Sequence, residues 1–378
     1  MQWFLMRLKL FDWWLMASSL LLMLMGLLVL WSMSVGASAQ GGDSIAQTRF
    51  FHQSLYAVAG IAIIVVGAAL LDMRTIEHGS IPVFIITVLL LGAVLVSGSV
   101  VRGTKGWFVW QSLNLQPVEF AKVGFILFFA ALLKRWARRL KELRALMLTA
   151  TAMMVVGGLV LLQPDFGSFF IFLAVWVAMV LTIGLKRSHV VTMLLLTVVL
   201  SVVAWQLFAP YQRDRLLVFL NPNIDPLGRG YQLRQAMIAV GSGQWLGKGL
   251  GAGSQNQLQF LPERQTDFLF AVIAEEMGFI GAGLVIVLWA VVLLRLLYWS
   301  SVVQDDFALF ALVGLAILLF VEISVVIGMN VGLFPITGLS LPLLSYGGSS
   351  FIATAMALMI AQSIIIEAKR SGWVRKYQ

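Results

Sequence analysis

Residues 307–328 read FALFALVGLAILLFVEISVVIG, a run of 22 residues in which Glu322 is the only charged side chain. An α-helix rises about 1.5 Å per residue, so this run is about 33 Å long. That length crosses the roughly 30 Å hydrocarbon core of a bilayer. The run shows no alternation of polar and apolar residues, which excludes a strand of a membrane barrel. The stretch therefore predicts a transmembrane helix.

The same pattern recurs along the chain. Further apolar runs occupy 13–33, 54–71, 81–99, 145–162, 168–185, 189–209 and 277–299, and shorter ones 119–133 and 350–366. Composition agrees, because the chain is 60% hydrophobic and 11% charged, whereas soluble domains carry roughly 25% charged residues. Since only helices or closed barrels satisfy the backbone in lipid, we expect an all-α membrane protein of about ten transmembrane helices. Residues 1–378 then form a single polytopic membrane domain.

Basic residues set the expected orientation. The net charge is +9, and it is concentrated in a cluster at 134–144 and in the tail at 369–376. Lys and Arg beside membrane spans are retained in the cytoplasm and contact anionic lipid heads, so both termini are predicted to be cytoplasmic. This placement favours the lipid bilayer, and not nucleic acid, as the partner of the positive charge. The run at 13–33 exceeds the 7–15 residues of a signal-peptide core, which indicates a retained span.

Two segments depart from the pattern of spans. The polar segment of about 210–266 is predicted to be a large extracytoplasmic loop between helices 7 and 8, and loops of this length are usually functional. Within it, 231–240 is typical of a short amphipathic helix. The stretch Pro335–Ser349 is apolar but too rich in Pro and Gly for a span. We expect it to be a re-entrant segment before helix 10, because non-helical backbone at membrane depth must be buried in protein or line a cavity.

Acidic residues are scarce at the predicted outer face. Asp267 ends the long loop where an apolar helix follows, so Thr266 or Asp267 is expected either to cap that helix or, in the case of Asp267, to carry function. Glu119 and Lys122 stand at i and i+3 on one helix face, and they either neutralise one another or act on a substrate. For Glu322, a hydrogen bond to a neighbouring helix is the favoured interpretation.

Several motifs along the chain resemble the SEDS family (shape, elongation, division and sporulation). They are Gln116-Pro117, Gln163-Pro164-Asp165, Tyr211-Gln212-Arg213, Asn221-Pro222, Asp225 to Gly228, Gly247-Lys248-Gly249, Phe260 to Phe270 and Leu341 to Ser349. The resemblance spans nearly the whole chain, in order. Departures are Val118 for the usual Ser, Gly106 for the usual Arg, Gln265 where His is frequent, and Val326 for an Asn, with Asn330 one turn later.

The resemblance implies a peptidoglycan glycosyltransferase that polymerises lipid II at the outer face of the bacterial cytoplasmic (inner) membrane. Its partner would be a class B penicillin-binding protein, a transpeptidase. The family's essential acidic residue corresponds to Asp267, the expected catalytic residue. Expected substrate-binding residues are Lys105, Trp107, Gln116, Glu119, Lys122, Asp165, Arg213, Arg215, Lys248, Ser345, Tyr346 and Ser349.

The chemistry and the family branch leave alternatives. Asp267 would take the proton of a sugar hydroxyl, and the departing pyrophosphate needs cationic or metal stabilisation. A divalent cation, Mg²⁺ or Mn²⁺, held by Glu119 or Asp267 is one alternative to basic residues. The short head before about residue 13 and the Pro262-Glu263-Arg264 sequence favour the elongation and cell-shape branch (RodA). The division branch (FtsW) and a lipid II flippase or transporter stay open.

Overall fold

The computed structural model describes residues 2–39, 44–101, 103–110, 113–136, 143–182, 191, 210–254 and 260–371. Its shorter elements are α1 Gln2–Lys9, a π-helical turn Ile63–Gly67, α4 Ala68–Leu70, β1 Ser99–Val101, β2 Thr104–Trp110, β3 Leu113–Leu115, α9 Pro210–Leu220, a 3₁₀ turn Pro222–Ile224 and α10 Arg229–Ser242. The longer helices are α2 Trp13–Ala39, α3 Ser44–Ala62, α5 Met73–Ser97, α6 Pro117–Trp136, α7 Leu143–Leu162, α8 Phe166–Leu181, α11 Leu269–Val302, α12 Asp306–Asn330 and α13 Gly348–Ser371.

Long apolar helices dominate the molecule. Six helices in the described residues are long and apolar enough to cross a membrane, and they run Trp13–Val35, Ala46–Leu70, Met73–Ser97, Leu269–Val302, Asp306–Asn330 and Gly348–Ser371. Two shorter apolar helices cover Met147–Leu162 and Phe166–Leu181. These elements confirm the predicted all-α, multi-pass membrane fold. The predicted span 189–209 lies outside the described residues, apart from residue 191.

A small β-sheet between α5 and α6 was not predicted. Its three antiparallel strands lie in the order β1-β2-β3, with Ser99 opposite Trp107 and Phe108 opposite Leu115. Gly103 has a φ of +83°, a conformation that glycine adopts readily, and it allows the reversal between β1 and β2. Nothing in the sequence analysis indicated the pairing of such short strands.

Ion pairs mark one end of the helix bundle. At one end Lys134 pairs with Glu77 (2.8 Å) and Asp305 (3.0 Å), and Arg7 pairs with Asp72 (2.7 Å). These contacts join the start of α5, the end of α6 and the start of α12. The end of α6 and the start of α12 therefore lie at the same end of the bundle, as expected for spans that alternate in direction. We call this the Lys134 end, and it is the end predicted to be cytoplasmic.

The chain between α12 and α13 is irregular, and its residues 341–345 are buried. Residues 331–347 form turns and extended backbone, and Leu341, Leu343 and Leu344 are at most 1% exposed. Gly26 of α2 packs against this backbone, because a Cβ atom there would lie 2.6 Å from the carbonyl oxygen of Leu344. Burial in protein is the condition under which non-helical backbone is tolerated at membrane depth, and residues 341–345 meet it. The prediction that this stretch is not a regular span is confirmed up to Gly348, where α13 begins.

Helix α11 is broken near its start. Gly278 has φ 66° and ψ −164°, which are not helical angles. The chain after α10 satisfies groups that the break frees, since Lys248 N donates to Glu275 O (3.0 Å) and Phe279 N donates to Gln244 O (2.7 Å). Residues 269–277 thus form a short separate piece of helix, which we call the outer piece of α11.

Candidate active site

Asp267 lies in the turn 262–268 that leads into α11. It is 6% exposed, and a Cβ atom at Gly338 would lie 3.8 Å from its Oδ2. The carboxylate therefore faces the irregular segment 331–347. The N-cap of α11 is Phe268, so the expectation that Thr266 or Asp267 is the cap was wrong. Thr266 instead donates its hydroxyl to the carbonyl oxygen of Glu263 (3.2 Å).

Ser345 and Tyr346 join this turn to the irregular segment. The hydroxyl of Ser345 donates to Thr266 O (2.6 Å) and accepts from Leu341 N (3.0 Å). Tyr346 N donates to Gln265 O (2.9 Å). Both residues were predicted to bind substrate. In this structure their polar contacts hold the backbone on which Asp267 sits.

Asn330 was singled out in the sequence only as a departure from the family pattern. It is completely buried at the end of α12. Its Nδ2 donates to Asp267 O (3.0 Å) and Val326 O (2.7 Å), and its Oδ1 accepts from Ala271 N (3.0 Å). The residue therefore ties the first turn of α11 to α12.

Arg49 is a second residue that sequence reasoning missed. It is half-buried on α3, its Nη1 donates to Gln265 Oε1 (2.8 Å), and its guanidinium lies 5.7 Å from the centre of the Tyr346 ring. It forms no ion pair with any residue in the described ranges. In the sequence, its only signal was a lone cation shortly before the apolar run 54–71, on the side predicted to be the outer face.

Lys122 lies between two carboxylates inside the bundle. Its ammonium bonds to Glu119 on its own helix (2.9 Å) and to Glu322 on α12, and all three side chains are buried. The interpretation that Glu119 and Lys122 neutralise one another is confirmed, and so is the expected contact of Glu322 with a neighbouring helix. The charge of Lys122 is fully compensated in this arrangement.

Asp165 caps α8. Its carboxylate accepts from Ser168 N (3.0 Å) and Ser168 Oγ (2.7 Å). Burial raises the pKa of the Asp165 carboxyl, while the hydrogen bonds from Ser168 and the charge of Lys122 act in the opposite direction.

Lys248 is also paired with a carboxylate. Its Nζ lies 2.8 Å from Glu275 Oε1 and 2.9 Å from Ser254 Oγ. The neighbouring Glu276 accepts from Ser32 Oγ of α2 (2.8 Å). Both acidic residues of α11 thus have partners, as charges near the membrane require.

The remaining predicted substrate-binding residues are more dispersed. Ser349 Oγ accepts from Gln116 N (2.9 Å) and donates to Asn114 O (3.1 Å), which joins α13 to the start of α6. Lys105 contacts Val96 O at 3.4 Å. Trp107 is half-buried in β2 and Arg213 half-buried in α9, and the side chain of Arg215 lies outside the described residues.

The alternative of a divalent cation held by Glu119 or Asp267 has no preformed set of ligands among the described residues. No group of three His, Asp or Glu close enough to hold a metal ion occurs in the ranges that the structure covers. Glu119, one of the two predicted ligands, accepts a hydrogen bond from Lys122 instead.

Comparisons with known proteins cover almost the whole chain. The family described as "Cell cycle protein" (FTSW_RODA_SPOVE) matches residues 12–370. A protein of Aromatoleum aromaticum named "Probable peptidoglycan glycosyltransferase FtsW" is 37% identical over 366 residues, which are 92% of this chain and 86% of that protein.

The first of two similar solved structures belongs to a study entitled "Structural coordination of polymerization and crosslinking by a peptidoglycan synthase complex". It has a TM-score of 0.74 and 30% identity, and it covers 96% of this chain and 98% of its own. The second is the rod shape determining protein RodA of Thermus thermophilus. Its TM-score is 0.67 at 27% identity, and it covers 94% of this chain and 96% of its own.

Proposed function

We propose that this chain, which belongs to the FTSW_RODA_SPOVE family of cell cycle proteins and is a peptidoglycan glycosyltransferase, polymerises lipid II at the outer face of the bacterial cytoplasmic membrane. One observation carries the proposal. The buried carboxylate of Asp267 sits where the turn 262–268 meets the irregular segment 331–347. That junction lies away from the Lys134 end, and a lipid-linked sugar at head-group depth could reach it there.

The reaction needs a base. The 4-hydroxyl of the acceptor sugar attacks the anomeric carbon of the donor, and the bond from that carbon to the pyrophosphate oxygen breaks. Asp267 takes the hydroxyl proton as the new glycosidic bond forms, and undecaprenyl pyrophosphate leaves with the bonding electron pair. A positioned base contributes roughly 10²–10⁴-fold to such a step.

The departing pyrophosphate needs a cation whose charge is not already compensated. Lys122 and Lys248 are each paired with carboxylates, so they are weak candidates. Arg49 is held by an amide oxygen and an aromatic face. Its guanidinium has five N–H donors and suits bidentate contact with phosphate. We therefore assign the pyrophosphate to Arg49, whose hydrogen-bond partner Gln265 precedes Asp267 by two residues in the chain.

The relatives bear on the branch of the family. Pro262-Glu263-Arg264 favours the elongation branch, whereas the Aromatoleum relative carries the name FtsW at 37% identity and RodA of Thermus thermophilus matches at 27%. These identities support a division-type polymerase over one for elongation and shape. A class B penicillin-binding protein is the proposed partner, since a polymerase that lacks a transpeptidase needs one to crosslink its product.

Purified full-length protein in liposomes with labelled lipid II tests the proposal. Glycan polymer is the expected product. Movement of lipid II across the bilayer without polymer would indicate a flippase. The absence of both polymer and movement would indicate a scaffold. Both of these outcomes would overturn the proposed reaction.

A further inference from the structure

We propose that Asn330 is a positioning residue that holds Asp267 in its productive orientation, an inference that rests on the proposed role of Asp267 as the base. Asn330 does not reach the reacting atoms. It acts through the backbone of the turn that carries Asp267.

The contacts of Asn330 use its whole amide. Both donors of Nδ2 are engaged, one by Asp267 O at 3.0 Å and one by Val326 O at 2.7 Å. The amide oxygen accepts from Ala271 N at 3.0 Å. An asparagine amide has two donors and one carbonyl oxygen, so the side chain is fixed on all sides inside a completely buried site.

These bonds fall on both sides of the first turn of α11. Helix N-termini leave backbone N–H groups without partners inside the helix, and the N-cap Phe268 makes no side-chain capping bond. Asn330 supplies such a cap from α12. Because it grips the carbonyl of residue 267 and the N–H of residue 271 together, the peptide plane that follows Asp267 cannot rotate without breaking a buried hydrogen bond.

The break at Gly278 explains why the hydrogen bonds from Asn330 are needed. The outer piece of α11 is separated from the long membrane helix by non-helical angles at Gly278, so that helix alone does not set its orientation. Its far end is held by the chain 244–249, through Lys248 N to Glu275 O and Gly249 N to Glu276 O (both 3.0 Å). Asn330 holds the end that bears Asp267.

A small displacement of a catalytic group is enough to slow the reaction, since about 1 Å of misplacement costs on the order of 10²-fold. Asn330→Ala in full-length protein should therefore lower kcat by about 10²-fold. KM for lipid II should change by less than about threefold, because Asn330 does not contact the substrate and substrate binding is therefore unchanged. A merely structural role predicts no such split between kcat and KM.

Gln362 provides a matched control. It is buried on α13, and it makes two hydrogen bonds to the backbone of Asp12, each 3.0 Å long, in a part of the molecule remote from Asp267. Gln362→Ala removes a comparable buried amide, so the unfolding temperature of this variant should fall by about as much as that of Asn330→Ala. Its kcat should stay near wild type. Should Asn330→Ala not accumulate, Asn330→Asp, which keeps an oxygen for Ala271 N, takes its place with Gln362→Glu as control.

Equal kcat losses in the two variants, tracking their loss of thermal stability, would overturn the inference, and so would wild-type kcat in Asn330→Ala or a change in KM alone. Asp267→Asn measured in parallel separates this failure from that of the proposed function. An inactive Asp267→Asn beside a fully active Asn330→Ala removes only the role of Asn330. An active Asp267→Asn removes the base itself.

Discussion

Lys248 and Glu275 form an ion pair, with 2.8 Å between Nζ and Oε1, that ties the chain after α10 to the outer piece of α11. The carboxylate is completely buried, whereas the side chain of Lys248 is 31% exposed. The backbones of the same two residues are joined as well, by a 3.0 Å hydrogen bond. The pair therefore supports the helix that begins beside Asp267, and this role competes with the predicted role of Lys248 in substrate binding.

Lys248→Met should lower thermal stability, because it removes the cation beside a buried carboxylate. The loss should be below the roughly 3–5 kcal/mol seen when a fully buried pair is broken. In the double variant Lys248→Met with Glu275→Gln, the unfolding temperature should return most of the way to the wild-type value. KM for lipid II should stay near wild type. A raised KM in the stable double variant would instead assign Lys248 to substrate.

The Lys122 group predicts an order of stabilities. Glu322→Gln leaves the Lys122–Glu119 pair intact, whereas Lys122→Met leaves two carboxylates buried together without their cation. We expect Lys122→Met to cost about 3–5 kcal/mol and Glu322→Gln clearly less, measured by thermal unfolding in one detergent. The reverse order would mean that the group is not held as the structure has it.

Sequence reasoning reached the parts of the site that depend on local chemistry. Apolar runs longer than a bilayer indicated the spans, and the scarcity of carboxylates at one face pointed to Asp267 and to the Glu119–Lys122 pair. Residues that act through distant contacts were not recognised. Arg49 meets Gln265 across 216 residues of chain, and no local periodicity encodes such a contact.

The β-sheet shows a second limit of the sequence. Its strands are 3, 7 and 3 residues long, too short for a clear alternation of polar and apolar side chains. The capping prediction failed for a related reason. Thr266 and Asp267 have the right chemistry for an N-cap, but a contact from another helix, through Asn330, replaces the local cap.

Arg49→Gln should weaken the binding of the lipid pyrophosphate. Loss of one charge-assisted bidentate contact, about 1.5–3 kcal/mol, corresponds to a rise in KM for lipid II, and in the inhibition constant of undecaprenyl pyrophosphate, of roughly 10–100-fold. Arg49→Lys should recover only part of this, since lysine lacks the planar fork.

Arg234 on α10 provides the control for Arg49, because its guanidinium contacts Pro226 O (3.3 Å) and Gly230 O (3.4 Å) within its own neighbourhood. Arg234→Gln should leave both constants near wild type. Equal effects of the two substitutions would show a general loss of positive charge at this face, and the assignment of pyrophosphate to Arg49 would fall.

Orientation in the membrane follows from the basic residues and can be measured directly. The chain has no cysteine, so single cysteines at Leu227, which is 91% exposed, and at the exposed Ser371 report on two sides. In intact cells a membrane-impermeant thiol reagent should label Leu227→Cys only, because positive loops stay in the cytoplasm. Labelling of Ser371→Cys alone would show that the orientation is the reverse of the predicted one, with Asp267 on the cytoplasmic side.

The central claim is that the carboxylate of Asp267 is the base for glycan extension, and Asp267→Asn in the lipid II polymerisation assay tests it most directly. Asn keeps the shape of the side chain but cannot take a proton. Glu263→Gln, in the same turn, is the matched control and should polymerise near the wild-type rate. We predict that Asp267→Asn unfolds at the wild-type temperature and loses roughly 10²-fold or more in rate, the loss expected for a missing base. More than about a tenth of the wild-type rate, well above what loss of a base allows, would contradict the account.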